Sequence, residues 1–569
     1  MTNEDPFQSA MAYHQNGLFE RAEQMYRGIV EAAPNNAPAW HYLGLLLHHT
    51  GRSDEGAALI GKSLEIDPGS TEALCNLGML QKALGRTEDA VASYREALRL
   101  NAANAIAQHN LGNALQSLER WPEAQAAYDA AIRIDPFQVD SLVGLGESLF
   151  AQAKLAPSAT AFAAAVKRDP TRADARLGWG RALLEQMRLD EAEEQFRTVL
   201  QNGPNADALF SLGIACYYRG DLTNAIRCFR QTLELSPDFS NGHFHLAAAL
   251  LRNGEFAEGW AEYEWRRRLP GFQGISDTSH EWHGEPLEGR TLLLYGEQGL
   301  GDSLQFAALV PMLAARGDRV VLAVPAPLVR LLRATPGVSE VVAHGQPISC
   351  DLHLPLLSLP HVLGVGLDVT PSAAPYLRAD DEAVAVWRGR LAEAGGLKIG
   401  LAWAGNPRSH DPRATVADRR RSLRLEQLAP LAAFGGVTWV SLQKGEPAMQ
   451  TRGAAADLPL LDLMDKVEDF ADTAALVANL DLVITVDTSI AHLAGGMGKP
   501  VWILSRYDGC WRWLSGRDDV PWYPSAWLFH QRTPGDWAEV IDRVAQMLQS
   551  IFDPSAVPPD DTARLIIPG

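Results

Sequence analysis

Long apolar runs are missing from this sequence: no stretch of its 569 residues approaches the ~20 consecutive apolar positions of a membrane span. Positive charge is also short. The chain has 69 acidic residues against 50 basic ones, a formal net charge of −19, which excludes a general nucleic-acid binder held by phosphate attraction. Lysine is scarce, with only eight among the 50 basic residues. Cysteine is sparse and unpaired in pattern. The five thiols, at 75, 216, 228, 350 and 510, form no C-x-x-C, which argues against a disulfide framework or zinc site and fits a reducing cytoplasm. The opening residues lack the basic–apolar–small order of a secretory signal, so the expected location is cytoplasmic. The length allows about three to five domains.

What is abundant is repetition. Repeat-closing prolines stand at Pro34, Pro68, Pro136, Pro170, Pro204 and Pro237, with Ala102 in the missing slot, in steps of 34 residues and a last step of 33. Twelve positions before each slot is a small residue (Ala22, Gly56, Ala90, Ala124, Ser158, Ala192, Ala225). Four positions after that is a large one (Tyr26, Ile60, Tyr94, Tyr128, Phe162, Phe196, Phe229). Leu43-Gly44, Leu77-Gly78, Leu111-Gly112, Leu145-Gly146, Trp179-Gly180 and Leu212-Gly213 recur earlier in the units, and Gly259 with Tyr263 starts an eighth copy. Small residues let paired helices approach, and a ring four positions on lies over the same face. Each pair leaves an apolar face that the next must cover, so such units stack. The pattern resembles the tetratricopeptide repeat family over residues 3–268. The resemblance implies a superhelix with a groove for an extended peptide or partner surface, and a possible homodimer. Asn76 and Asn110 fall at one equivalent groove position; Tyr42, Gly144, Gly178 and His245 occupy it elsewhere, so no full asparagine ladder exists.

Past Trp265-Arg266-Arg267-Arg268, which reads either as an acidic-ligand contact or as a solvated helix end, a linker is expected over 269–289. Short apolar runs at 291–295, 320–324, 338–342 and 351–355 then alternate with helical stretches, and again at 398–403, 437–442, 458–461, 482–486 and 501–504. Strand–helix alternation of this kind predicts two doubly wound α/β lobes, 290–395 and 396–552, with a tail over 553–569 and ligands at the strands' carboxyl ends.

Three strand-end loops hold the candidate chemistry. In Gly299-Leu300-Gly301-Asp302 the glycines permit close backbone approach, and Asp302 is either a functional carboxylate or a helix cap. The G-x-G-x-x-G spacing of a dinucleotide fingerprint is not met. Ser441-Leu442-Gln443-Lys444 places a rare lysine after a strand, as a phosphate charge or a solvated surface group. Asp487-Thr488-Ser489 opens a helix directly from a strand, whose free N–H groups suit a phosphate, and His492 lies one turn on.

GLGD after the first strand and VDTSIAHLAGGMGKPVWIL near the end resemble the GT-B glycosyltransferases of the heptosyltransferase-like family, over about 290–545. The resemblance implies that Asp302 is the general base and that Asp487, Thr488, Ser489 and His492 hold the nucleotide diphosphate of a nucleotide-sugar. The loop from Asn406 to Arg421 and Ser422, with Gln443 and Lys444, would face the same donor. No D-x-D stands in a strand-end loop, which agrees with metal-independent transfer and no cofactor beyond the nucleotide-sugar co-substrate. Repeats joined to such a unit resemble, in architecture, protein O-glycosyltransferases and flagellin glycosyltransferases. The leading expectation is therefore transfer of a sugar to a protein acceptor, with flagellin the candidate the architecture suggests. The alternatives are a lipopolysaccharide or glycan transferase that uses the repeats for assembly, and a repeat scaffold with an inactive transferase unit.

Overall fold

The computed structural model describes residues 5–272, 274–275, 279–314, 319–367, 375–408, 411–452 and 458–552. The expected tail, 553–569, lies outside them, as do residues 1–4. By its internal contacts the chain divides into two units, Met1–Gln201 and Asn202–Gly569.

The first unit is six helix pairs. These are α1 (Pro6–Gln15) and α2 (Phe19–Ala32), α3 (Ala37–His49) and α4 (Ser53–Ile66), α5 (Thr71–Ala83) and α6 (Thr87–Leu100), α7 (Ala105–Ser117) and α8 (Trp121–Ile134), α9 (Val139–Ala151) and α10 (Leu155–Arg168), and α11 (Ala173–Glu185) and α12 (Leu189–Leu200). The repeat period sets the caps as well as the core. Asn36, Ser70 and Asn104, 34 residues apart, each accept a hydrogen bond from the backbone N–H three residues on, at 3.1, 3.3 and 3.0 Å.

The rings of Tyr94, Tyr128, Phe162, Phe196 and Phe229 each pack against glycine. A Cβ on Gly112 would stand 2.6 Å from the Tyr128 ring, and one on Gly144, in the next pair, 2.5 Å from the same ring. Phe162 sits likewise between Gly146 and Gly178. The glycines are thus required by space. The turn inside each pair passes through left-handed backbone: Gly17, Gly51 and Gly85, but then Glu119, Ala153 and Met187, with φ between 56° and 84°. Side chains are strained there.

The second unit opens with two more pairs, α13 (Ala206–Arg219) and α14 (Leu222–Leu235), and α15 (Ser240–Asn253) and α16 (Phe256–Tyr263), closed by a 3-10 turn, Glu264–Arg268. Its α/β part runs β1 (His280–Glu281), β2 (Thr291–Tyr295), α17 (Leu300–Phe306), α18 (Val310–Ala314), β3 (Arg319–Val324), α19 (Val329–Leu332), β4 (Val338–Ala343), β5 (Leu352–Pro355), α20 (Leu359–Leu363), α21 (Asp381–Arg390), β6 (Leu397–Ala402), α22 (Pro412–Arg421), β7 (Val437–Ser441), β8 (Leu460–Leu461), α23 (Phe470–Ala478), β9 (Leu482–Val486), α24 (Ser489–Gly496), β10 (Val501–Ser505), β11 (Ala526–His530) and α25 (Trp537–Phe552). All strand pairings within the two sheets are parallel, in the orders β1-β5-β2-β3-β4 and β11-β10-β9-β6-β7-β8. Their central strands are buried apolar runs, such as Leu482–Val486, as a sheet covered on both faces requires.

Two strands were not legible. β1 lies inside the supposed linker and pairs with β5, His280 beside Leu352, while β11 extends the second sheet's edge. The arginine cluster is only partly solvated. Arg266 is 2% exposed and pairs with Glu297 and Glu264, both at 2.7 Å; Arg267 pairs with Glu281 at 2.6 Å.

Gly112→Ala is expected to lower stability by about 1–3 kcal/mol, because the Tyr128 ring has glycine on both sides and cannot retreat. Ala153→Gly is expected to raise it. A Cβ in left-handed backbone costs roughly 1–2 kcal/mol, of which unfolded-chain entropy takes back part, for a net gain of up to about 1 kcal/mol. Urea midpoints of the two variants measure both effects.

Candidate functional site

Counted in chain order within its own sheet, β6 to β11 has the spatial order third, second, first, fourth, fifth, sixth. The order in which successive strands are added reverses between β6 and β9, and a ligand crevice belongs at the carboxyl ends of those strands. The first sheet reverses in the same way between β2 and β5. The loop after β2 ends at Gly299 and passes into α17 with Gly301 and Asp302, the loop after β6 leads to Asn406, and Asp487-Thr488 joins β9 to α24, which starts at Ser489.

The two helices that leave these points meet. A Cβ on Gly301 would lie 2.8 Å from Cδ2 of His492 and 3.5 Å from Cα of Ser489, so α17 and the first turn of α24 touch where Gly301 lacks a side chain. Asp302, the third residue of α17, caps its own helix by accepting from the Gly299 N–H at 2.9 Å. Its other carboxylate oxygen pairs with Arg512. Asp302 is thus a helix cap, and its two contacts leave about half of a carboxylate's four acceptor positions.

Arg512 donates from Nε to Gln305 Oε1 at 3.0 Å and lies 4.3 Å over the Trp511 ring. Burial works against its charge, but the Asp302 carboxylate more than offsets this and holds its pKa well above the ordinary value. His492 is buried, with Nδ1 at 2.9 Å from the Tyr523 hydroxyl and its ring stacked on Trp513 at 5.2 Å. Burial first, and then the Arg512 charge, bring its pKa down to about 4, so it is a neutral wall of the site.

In the second lobe, Thr488 caps α24, its hydroxyl oxygen accepting from the Ile490 N–H at 3.3 Å. The side chains of Asp487 and Ser489 form no hydrogen bond to a described residue. Arg421 donates to the Asp487 carbonyl at 3.4 Å and pairs with Asp418 at 2.8 Å. Ser422 accepts from the Gly405 N–H at 3.0 Å and donates to Asp418 at 3.1 Å. The arginine-rich insert is helix α22 over 412–421, while 409–410 lie outside the described residues. Gln443 braces two loops: its carbonyl accepts from the Trp403 and Ala404 N–H groups at 3.0 and 2.9 Å, and its amide donates to the carbonyls of Ala404 and Lys444. Asn406 closes a turn onto the Arg408 N–H at 3.1 Å, and Lys444 donates to the Val467 carbonyl. The structure thus brings together Gly299, Gly301, Asp302, Thr488, Ser489 and His492, with Arg421 at the Asp487 backbone. In the first unit, Asn76 is engaged with His41 at 2.9 Å, whereas Asn110 forms no hydrogen bond to a described residue.

Sequence reasoning missed Arg512, although an arginine between two tryptophans after the β10 strand was a usable signal. It also missed Glu297, whose side chain is fully buried against Arg266 and whose pKa burial pushes up. Arg252 of α15 donates to the Asp508 carbonyl at 2.8 Å, and Arg420 lies 4.8 Å over the Tyr218 ring. The last two helix pairs are therefore packed onto the α/β part.

Profiles described as tetratricopeptide repeat match residues 7–71, 59–92, 105–134, 143–207 and 206–239, and one described as TPR repeat matches 82–119. Tetratricopeptide repeats thus occupy the N-terminal part of the chain. Protein FlbA of Caulobacter vibrioides is 28% identical over 430 residues, covering 63% of this chain and 69% of that protein. Among solved structures, YrrB, a TPR protein with an unusual peptide-binding site, is 25% identical, covering 33% of this chain and 96% of its own, with a TM-score of 0.30. PilF of Pseudomonas aeruginosa is 24% identical, covering 35% and 92%, with a TM-score of 0.31. No helix among the described residues is long and apolar enough to cross a membrane.

The His492 ring ties stability to pH. Its folded pKa of about 4 lies below the unfolded value of 6.5, so its contribution is complete above pH 6.5 and is lost as pH falls toward 4. Over that window the wild type is expected to lose about 3 kcal/mol that a His492→Asn variant does not. Denaturant midpoints at pH 7 and pH 4.5 measure the difference.

Proposed function

We propose that this protein is a glycosyltransferase that moves a sugar from a nucleotide-sugar to a hydroxyl of a protein acceptor gripped by the repeats. The observation that carries the reading is the meeting of α17 and α24, each leaving a point where its own sheet reverses. In this reading the first-turn N–H groups of α24, with the Ser489 hydroxyl and Arg421 beside them, receive the donor's diphosphate. Asp302 lies one residue from that contact. It takes the proton from the acceptor hydroxyl as the oxygen bonds to the anomeric carbon and the bond to the leaving phosphate oxygen breaks. Arg512 holds the carboxylate in place. The likeness to FlbA covers a larger share of the chain than residues 7–239 occupy, which supports reading repeats and α/β part as one working protein.

The second reading, a repeat scaffold with an inactive unit, draws on the same ion pair, because Arg512 engages the carboxylate meant to act as base. A thermal-shift panel of nucleotides and nucleotide-sugars, with and without chelator, separates the two. The transferase reading expects a chelator-insensitive rise in melting temperature with one donor class, since a ligand binding only the folded chain stabilises it by mass action. With that donor, Asp302→Asn should keep the shift while transfer falls at least 100-fold, the usual contribution of a general base being roughly 10²–10⁴-fold. No shift across the panel favours the scaffold.

A further inference from the structure

The side chain of His492 is 4% exposed, yet only one of its ring nitrogens is used. Nδ1 meets the Tyr523 hydroxyl at 2.9 Å, while Nε2 forms no hydrogen bond with a described residue and is not sealed from solvent. Nε2 lies 3.4 Å from where a Cβ on Gly301 would stand, so it opens onto the contact between α17 and α24. Whether it donates or accepts there is decided behind the ring.

Two glycines of α24 let two tyrosines stand against that helix. A Cβ on Gly495 would be 2.4 Å from Cγ of Tyr523, and one on Gly496 would be 2.9 Å from the Tyr376 hydroxyl oxygen. Tyr376 donates to the Leu304 carbonyl at 2.9 Å, and Tyr523 shares a side-chain hydrogen bond with Tyr376. Each hydroxyl carries one proton. That of Tyr376 is committed, because a carbonyl only accepts. Tyr523 must therefore donate to Tyr376, and its oxygen is left to accept from His492. The hydrogen of the imidazole is thus on Nδ1. Burial first, and then the Arg512 charge, keep the ring neutral at pH 7. A neutral imidazole with its hydrogen on Nδ1 leaves Nε2 as a bare lone pair.

We propose that Tyr376 and Tyr523 lock His492 with its hydrogen on Nδ1, so that Nε2 accepts a hydrogen bond from a hydroxyl of the transferred sugar and takes no part in holding phosphate. A bare nitrogen and a phosphate oxygen repel each other. The phosphates belong instead with groups that donate, the first-turn N–H groups of α24 and the Arg421 guanidinium. The Asp302 carboxylate, one residue from the Gly301 contact, is likewise an acceptor, so this contact presents groups to which a sugar's hydroxyls can donate. The assignment rests on reading the protein as a nucleotide-sugar transferase, and it makes Tyr376 and Tyr523 positioning residues within that reading.

The test is nitrogen-15 NMR at pH 7 of the full chain labelled in histidine, with the His492 signals identified by their loss in His492→Asn. The wild type is expected to show Nδ1 in the protonated, pyrrole-like range and Nε2 in the bare, pyridine-like range. Tyr376→Phe frees the Tyr523 proton to turn toward Nδ1, so the two signatures should exchange, which a merely structural tyrosine would not bring about. UDP-glucose, ADP-glucose and GDP-mannose are then added in turn, each beside its nucleoside diphosphate, and melting temperatures are recorded on the same samples. One nucleotide-sugar should move the Nε2 resonance, and its diphosphate should leave it in place. A protonated Nε2 in the wild type, an unchanged tautomer in Tyr376→Phe, or equal movement with the diphosphate overturns the proposal. A nucleotide-sugar that raises the melting temperature without moving Nε2 also overturns it and leaves the transferase reading standing. If no ligand registers by either readout, the transferase reading falls and the sugar contact falls with it, whichever tautomer the ring adopts.

Discussion

The contact between Gly301 and the first turn of α24 is the constraint on which the candidate site depends. Two helix N-termini from different sheets approach so closely that a single methyl group at residue 301 would collide with His492. Everything around the contact serves to hold it. Arg512 bridges Asp302 and Gln305 on the α17 side, while His492 is pinned from behind by Tyr523 and Trp513. The cost is a buried ion pair and a buried imidazole that must stay neutral. In return, two helix starts from different sheets, one of them carrying Asp302, are brought into contact.

The terminal repeats belong to the same account. Trp260 of α16 donates to the Val365 carbonyl at 2.9 Å, Arg266 holds Glu297 in the loop that leads to Asp302, and Arg252 reaches the Asp508 carbonyl. The last two helix pairs thus act as a wall of the α/β part and not only as further copies of the repeat. This explains why their arginines are buried where a free helix end would leave them in water.

Much of this was written in local patterns. The 34-residue period gave the helix pairs because one ring and its glycines must recur together, as at Tyr128 between Gly112 and Gly144. The apolar runs marked nine of the eleven strands among the described residues because the buried central strands, such as Leu482–Val486, are built mainly from Val, Leu and Ile. β1 stayed hidden because two residues, His280 and Glu281, form a strand only through β5, which lies some 70 residues on. In the site, Asp302 and Asp487–Ser489 were legible from strand-to-helix junctions. The roles of Gln443 and Ser422 were not, because each is fixed by backbone groups from another loop. Arg512 became visible only when the fold set it against a carboxylate 210 residues earlier.

The central proposal is that the first turn of α24 is an anion site facing Asp302, and it does not depend on which nucleotide the protein uses. A crystal structure of the full chain with inorganic pyrophosphate tests it most directly. The account predicts pyrophosphate at the first turn of α24, bonded to its backbone N–H groups and the Ser489 hydroxyl, on the side that faces Asp302. Pyrophosphate bound elsewhere on the protein, with the first turn of α24 left to solvent, would contradict it.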